Sequence, residues 1–399
     1  MRLLRFSVFS IILLSTGLSG SAAAVDPVQI FNADSSSSLR FQFVGQLRTS
    51  LESKDSFPGN DRSYDVFTEF RRIRLTFSGY LWKPELTYKL HLSTAPGSLE
   101  LMDLYLNYKL RSELQIRYGQ FKIPFTRYRI QSFQCLTFTD WAIVSKYFGA
   151  ERQIGLAAHN GFEKPPRWGY TLGIFTGQNA RASHGVGIAE VYDVDTPNPS
   201  DLTDPASTGK YHPEIAGHVS LNSAGIDLQS DSDPEKGPLC YSIALSGIYD
   251  FDPDKHQDFA LRAALETLIK YRGGSLTAVG YVGNTDLDDD SKKELAMTGG
   301  LIQTAYRLNR AWELSLRYAL VDFKDVLLTS ARNLIAAEAG VTAGEIAIPN
   351  REEELTAGFN IYLDGHNLKI QNDFSWLRHV YNDDALVDFS LRSQVQLAF

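Results

Sequence analysis

Apolar and polar residues alternate with period two in one segment of this chain after another. The clearest case is VDFSLRSQVQLAF, residues 387–399. Val387, Phe389, Leu391, Val395, Leu397 and Phe399 occupy odd positions there, and Asp388, Ser390, Arg392, Gln394 and Gln396 occupy even ones. Side chains of an extended strand point to opposite faces in turn, so such a segment sets an apolar surface against a polar one. Trp312, Leu314, Leu316, Tyr318 and Leu320 alternate in the same way with Glu313, Ser315, Arg317, Ala319 and Val321. About sixteen such segments occur, each roughly as long as a tilted membrane strand. They begin near Ser38, Asp65, Pro84, Ser98, Glu113, Gln153, Trp168, Glu214, Leu239, Gln257, Ser275, Lys293, Ala311, Glu353, Asn367 and Asp384.

The connections between them sort by length. Every second one is short and rich in turn formers, as in LWKPE, KLRSE, FEKPPR, YRGGS, LNRAW and LDGHN. The others are long and polar: Glu52 to Tyr64, Pro124 to Arg152, Gln178 to Pro213, Asn284 to Lys292 and Lys324 to Arg351. A soluble β-sandwich has no reason to sort its loops this way, whereas an outer-membrane barrel places short periplasmic turns on one rim and long extracellular loops on the other. Residues 227–238 break the rule, forming a long link where a turn belongs. In lipid every backbone N–H and C=O must be paired, so a sheet of strands has to close on itself. The expectation is an all-β transmembrane antiparallel β-barrel of about sixteen strands, wide enough for a wet lumen. Odd residues of the last strand then face lipid, and Phe399 joins Trp82, Trp168 and Trp312 in an aromatic girdle at the turn-side interface.

The N-terminus has the three-part layout of a secretory signal. Arg2 and Arg5 are basic, Phe6 to Leu18 are largely apolar, and Ala22–Ala24 form a small-residue cleavage site before Val25. Residues 1–24 are accordingly expected to be removed, 25–37 to form a short periplasmic segment, and 38–399 to form one barrel domain. Losing Arg2 and Arg5 takes the formal charge from −8 to −10, which gives no electrostatic case for a nucleic-acid partner. Aromatic residues make up 12% of the chain and only 3 residues are Met, a balance that favours strands over helices.

Chemistry-bearing motifs are sparse. The eight histidines show no HExxH or paired-ligand spacing, and no GxSxG elbow or phosphate-binding loop appears, so neither an enzyme nor a cofactor or metal is expected. The acidic run Asp286, Asp288, Asp289 and Asp290 reads as a solvated loop. Residues 331–340, ARNLIAAEAG, are helix-like within a long loop. Cys135 and Cys240 are the only cysteines. Placed on opposite rims across a band of ~25 Å, they are beyond the ~7 Å reach of a disulfide and are expected to be free.

Residues 65–152 carry the densest charge pattern. With Ile73, Leu75 and Phe77 outward, Arg72 and Arg74 point into the lumen, since a charge at mid-depth on the lipid side costs about 2–4 kcal/mol. Arg71 and Glu69 have the wrong parity, which calls for a bulge or a subunit contact. Asp103 shares the lumen face with Tyr105 and Lys109, and the third long loop opens with Lys122, Pro124, Arg127 and Arg129. The stretches FRRIRLTFSG, LMDLYLNY, YGQFKIPFTRYR, FTDWAIVSKYF, ERQIGLAAHNG and GYTLGIFTGQN resemble the phosphate-selective porins O and P. That resemblance implies a trimer of sixteen-stranded barrels, each with its third long loop folded into the pore. It also implies constriction residues at Arg71, Arg72, Arg74, Asp103, Lys122 and Arg129, to which the charge pattern adds Arg127. Where phosphate-specific members have an aromatic ring at the opening of the inward loop and a Lys further in, this chain has Lys122 and Arg129. The expected protein is a passive porin in the outer membrane of a Gram-negative-type bacterium. Its expected partners are membrane lipid and small anions such as phosphate, and general diffusion stands as the alternative to anion preference. A non-conducting receptor or adhesin, a barrel enzyme and a soluble secreted sandwich are the competing classes.

Overall fold

The computed structural model describes residues 29–32, 34–55, 62–94, 99–150, 152–162, 164–176, 213–251, 261–286, 293–324, 342, 348–381 and 384–399. The signal-like residues 1–24, the run 287–290 and the helix-like stretch 331–340 lie outside them. A short strand β1 (Gln29–Phe31) precedes sixteen long ones. The first eight of these are β2 (Ser38–Asp55), β3 (Arg62–Leu81), β4 (Lys83–Ser93), β5 (Glu100–Arg111), β6 (Leu114–Lys122), β7 (Arg152–His159), β8 (Trp168–Phe175) and β9 (Glu214–Asn222). The second eight are β10 (Cys240–Asp250), β11 (Leu261–Tyr271), β12 (Gly274–Asp286), β13 (Lys293–Arg307), β14 (Trp312–Phe323), β15 (Arg351–Asp364), β16 (Leu368–Val380) and β17 (Ala385–Ala398).

Each long strand pairs antiparallel with its sequence neighbour, and β17 returns to pair with β2 from Phe389↔Ser53 to Ala398↔Val44. The sheet therefore has no free edge, which is the condition lipid imposes. Phe399 completes the seam: its N–H and C=O bond to Phe43, and the two rings stack at 5.1 Å. The fold is inside-out, as the alternation demands. On β14 Arg317 is 1% exposed and Glu313 is fully buried, whereas Leu314 and Leu316 stand about half exposed on the outer surface. Trp82, Trp168, Trp312 and Phe399 are all at the turn rim with outward exposure.

The parity break on β3 has a local cause. Gln46 faces Arg72 and Leu47 faces Phe70, so Arg71 is the extra residue of a β-bulge. Below the bulge Glu69 pairs with Arg48 and returns to the lumen face. A second bulge, between His91 and Leu92, brings Asp103 opposite His91.

The lumen is less open than a wet interior implies. From Ile123 the third long loop turns inward as helix α1 (Arg127–Ile130), a 3-10 turn at Phe133–Cys135 and helix α2 (Val144–Phe148). Phe125, Tyr128, Val144, Tyr147 and Phe148 pack into one apolar cluster with the inward faces of β7 to β14, where Ala157, Ala216, Ala264 and Ala319 leave room for them. Glu266 of β11 accepts the N–H groups of Arg127 (2.7 Å) and Tyr128 (2.9 Å), so the wall supplies the cap that α1 lacks in its own sequence. Asp373 of β16 likewise accepts from Thr139 N–H, and Glu354 of β15 from Ile143 N–H. Glu352, Glu353 and Glu354 are wall residues rather than loop charges. They belong to β15, and Glu352 and Glu354 point inward, where Glu352 also bonds Tyr147 and His379.

The anomalous link between β9 and β10 also turns inward. Asp231, only 1% exposed, accepts hydrogen bonds from Arg127 (2.7 Å), Gln131 (2.8 Å), Thr277 (3.1 Å) and Gln303 (3.1 Å). Ser232 bonds Glu313 and Arg307, and Asp233 accepts from Gly273 N–H. The strand boundaries at this link are sound, and its extra length is spent inside the barrel.

Both cysteines are free, but the depth argument for that outcome fails. The loop carries Cys135 down to the turn rim, where its neighbour Gln134 approaches the carbonyl of His366 and accepts from Gln396 through its own. Burial pushes the Cys135 thiol up to about 11, which keeps it protonated at neutral pH. Native protein at pH 7.5 is expected to leave Cys135 unalkylated by a maleimide, whereas denatured protein labels there within the same exposure. Rapid native labelling would mean that the loop does not reach this depth.

Candidate functional site: a basic passage beside the inward loop

The residues singled out in the sequence divide into two groups. Arg71, Arg72, Arg74, Lys122 and Arg129 come together on the side of the lumen formed by β2, β3 and β6. Asp140 of the loop is their organising carboxylate. Its Oδ1 accepts from Arg72 at 2.7 Å, and its Oδ2 accepts from Arg71 at 2.9 Å and Arg48 at 3.3 Å. Burial alone raises the Asp140 carboxyl, but Arg72, Arg71 and Arg48 together hold it well below the usual carboxylate range. Next to it the Trp141 ring receives the cations of Arg129 (4.5 Å), Arg72 (5.2 Å) and Lys122 (5.5 Å). Lys122 Nζ donates to the carbonyls of Arg129, Ile130 and Gln131 at the C-terminal end of α1. Arg74 lies over Phe133 at 5.9 Å and donates to Ser93.

Arg127 does not join them. Its guanidinium turns the other way, to Asp231 (2.7 Å) and Glu266 (3.0 Å), because α1 places it on the face opposite Arg129. Asp103 sits apart from the Asp140 clamp, bonded to Arg152 (2.6 Å) and His91 (2.9 Å) with Lys89 at 4.0 Å.

Between this wall and the loop lies a cavity of about 100 Å³. Lys89, Arg117, Lys122 and Arg152 line it with His91, and Asp103 is the one carboxylate among the described lining residues. Ile130 and Phe133 of the loop, Phe162 of the β7–β8 turn and Gln229 of the inward link close its other sides. Gly119, between Arg117 and Phe121 on β6, has φ +130°, and a Cβ there would meet Leu104 O at 2.2 Å. Glycine is thus what lets β6 lie this close to β5 beneath the cavity.

Reading the charges of residues 65–152 passed over Arg117, Asp140, Trp141 and Arg152 within that stretch, and Arg48 and Asp231 outside it. Period-two parity places Arg117 and Lys89 on the lumen face of their strands. Nothing local in the sequence marks Asp140 or Asp231, whose partners are 68 and 104 residues away.

A sixteen-stranded closed barrel with a loop folded into its lumen is the architecture of a porin-type channel. The model of the family described as phosphate-selective porin O and P matches residues 41–399, and the chain belongs to that family. Its fold is that of outer-membrane porins. OprB of Pseudomonas putida superposes with a TM-score of 0.60 at 12% identity, over 92% of this chain and 95% of that one. The outer membrane channel DcaP of Acinetobacter baumannii gives 0.59 at 11% identity, over 92% and 99%. An anion-selective porin from Comamonas acidovorans gives 0.55 at 11% identity, over 91% and 100%. No curated protein sequence matches. The protein is an outer-membrane channel.

Proposed function

We propose that this channel passes small anionic solutes by diffusion, phosphate-like oxyanions among them, through the passage between β4–β7 and the inward loop. One observation carries the reading: four cations and a single carboxylate line the cavity there, among the described residues. The acidic groups of the opposite wall, Glu266, Glu354 and Asp373, are engaged by the loop's own N–H groups and arginines, so they do not face a solute. Low-dielectric walls focus the field of the lining charges, and screening over ~8–10 Å of physiological salt removes the acidic loops from account. Rings of Arg or Lys are the usual construction of an anion pore, and the anion selectivity of the Comamonas acidovorans porin agrees with this direction. Homotrimeric assembly belongs to the same proposal, supported by the trimer form of Vibrio cholerae OmpT, similar at a TM-score of 0.50 and 10% identity. So does removal of residues 1–24 on export.

Purified protein in a planar bilayer tests the proposal. Wild-type channels are expected to give discrete conductance steps with a reversal potential on the anion side in a KCl gradient. Replacing Lys89, Lys122 and Arg152 together by Ala leaves Arg117 as the one cation facing Asp103 among the described lining residues and is expected to move the reversal potential well toward the cation side. Unchanged selectivity would place the passage elsewhere, and absence of conductance steps would reject the channel reading in favour of a surface receptor.

A further inference from the structure

Arg117 is the one lining cation whose local surroundings are apolar. It is 7% exposed on the inward face of β6. The Tyr105 and Phe162 rings each lie 4.2 Å from its guanidinium carbon, and Phe121 adds a third ring at 5.5 Å. No ion pair or hydrogen bond reaches the guanidinium from the described residues, and its Nε is buried without a partner. Its cross-strand neighbours are Asn107 and Ala157, neither of which carries charge. Nearby His159 accepts Gly161 N–H at Nδ1 and faces Asn107 Oδ1 with Nε2 at 2.7 Å, a bonding pattern that needs the neutral ring protonated on Nε2. Asp103, the only carboxylate among the described lining residues, is taken by Arg152 and His91.

A desolvated guanidinium with no counter-charge is costly, and a protein that keeps one holds a place ready for an anion. The form of the cage narrows the anion's chemistry. Rings at 4.2 Å cover the guanidinium, so its N–H edge is what remains to donate, and a planar pair of oxygens answers that edge with two parallel hydrogen bonds. The same cavity offers Phe121, Phe133, Phe162 and Ile130 to a carbon skeleton, surfaces that a hydrated inorganic oxyanion does not use. We infer that Arg117 and its aromatic cage form a binding site within the passage for organic monocarboxylates bearing a planar apolar body. This rests on the passage proposed above and adds the solute class that pauses in it.

Isothermal titration calorimetry of the detergent-purified full-length protein tests the site without requiring conduction, with sodium benzoate as probe and acetate and inorganic phosphate as comparisons. Benzoate is expected to bind about tenfold more tightly than acetate or phosphate. Arg117→Gln removes an unpaired buried charge, so the barrel is expected to fold as well as the wild type and to lose benzoate affinity about tenfold or more. Phe162→Ala is expected to bring benzoate down to the level of acetate while acetate itself is unaffected. Equal affinities for benzoate and acetate, tighter binding of phosphate, or undiminished benzoate binding by R117Q would each overturn the inference. Conductance steps without benzoate binding would sink this site and leave the channel proposal standing; benzoate binding without conductance steps would do the reverse.

Discussion

Single-channel conductance is expected to rise about twofold or more when Ala224–Pro238 is replaced by a short Asn-Gly turn. The segment is a long turn-side link that enters the lumen, and Gln229 helps to close the cavity beneath the loop. Its removal deletes protein from the passage without touching the β-ladder. The ladder tolerates it because Ser223 and Tyr241 already face one another, with Ser223 N–H to Tyr241 O at 2.8 Å, so β9 and β10 can be joined as a hairpin at that point. The variant also strips Arg127 of Asp231 while leaving it Glu266, so α1 keeps one of its two acidic anchors. An unchanged conductance in a correctly folded variant would show that the link does not border the conducting path.

The second large effect belongs to Asp140→Asn. Three guanidiniums converge on this carboxylate, and removing its charge leaves Arg48, Arg71 and Arg72 crowded without compensation. Breaking one partner out of a buried ionic group costs about 3 to 5 kcal/mol, enough to undock this end of the loop from β2 and β3 for an appreciable fraction of the time. Expected readouts are frequent current fluctuations between two levels and trypsin cleavage at Arg127, Arg129 or Lys146, both rare in the wild type. A quiet trace with unchanged protease resistance would remove Asp140 from the anchoring role. The pH dependence follows from the direction of the shift. Because the folded carboxyl sits well below 3.8, the clamp is at full strength above the ordinary carboxylate range, weakens progressively below it, and is lost once pH has fallen through that depressed folded value. The difference between wild type and D140N is therefore expected to be constant from neutral pH to mildly acid pH and to vanish only in strong acid.

Strands were legible because period-two alternation is a local signal that survives whatever the lumen contains. β2, β8, β9 and β13 begin at Ser38, Trp168, Glu214 and Lys293, as the alternation places them. Parity also flagged the irregularity, since Glu69 and Arg71 cannot share a regular strand with an inward Arg72; of the bulge and the subunit contact that it left open, the strand register shows the bulge. The lumen was less legible. Sequence shows that Arg72, Arg127 and Arg129 are basic, but their neighbours are set by the path of a loop whose anchors lie on β11, β15 and β16. Thus Arg127 went to Asp231 and Glu266, and Arg72 to Asp140, pairings that no spacing records. The apolar cluster of Phe125, Tyr147 and Phe148 against the alanines of β7 to β14 was hidden for the same reason. Small inward residues read as merely neutral until something fills the space they leave. Arg117 was visible as an inward charge on β6, whereas its cage draws Phe162 from a turn that looked like nothing more than a connection.

The loop's anchors reach nearly all the way around the barrel: Arg48 and Arg72 on one side, Glu266 on another, Glu354, Lys369 and Asp373 on a third. A hollow ring of sixteen strands is free to flatten into an ellipse when the surrounding bilayer squeezes it, and an aperture defined by opposite walls would open and shut with that flattening. Here the loop acts as a set of spokes that ties three arcs of the rim to one hub. Lateral pressure is thereby carried across the middle as well as around the circumference, so the arcs tied to the hub resist flattening more than those of an empty ring.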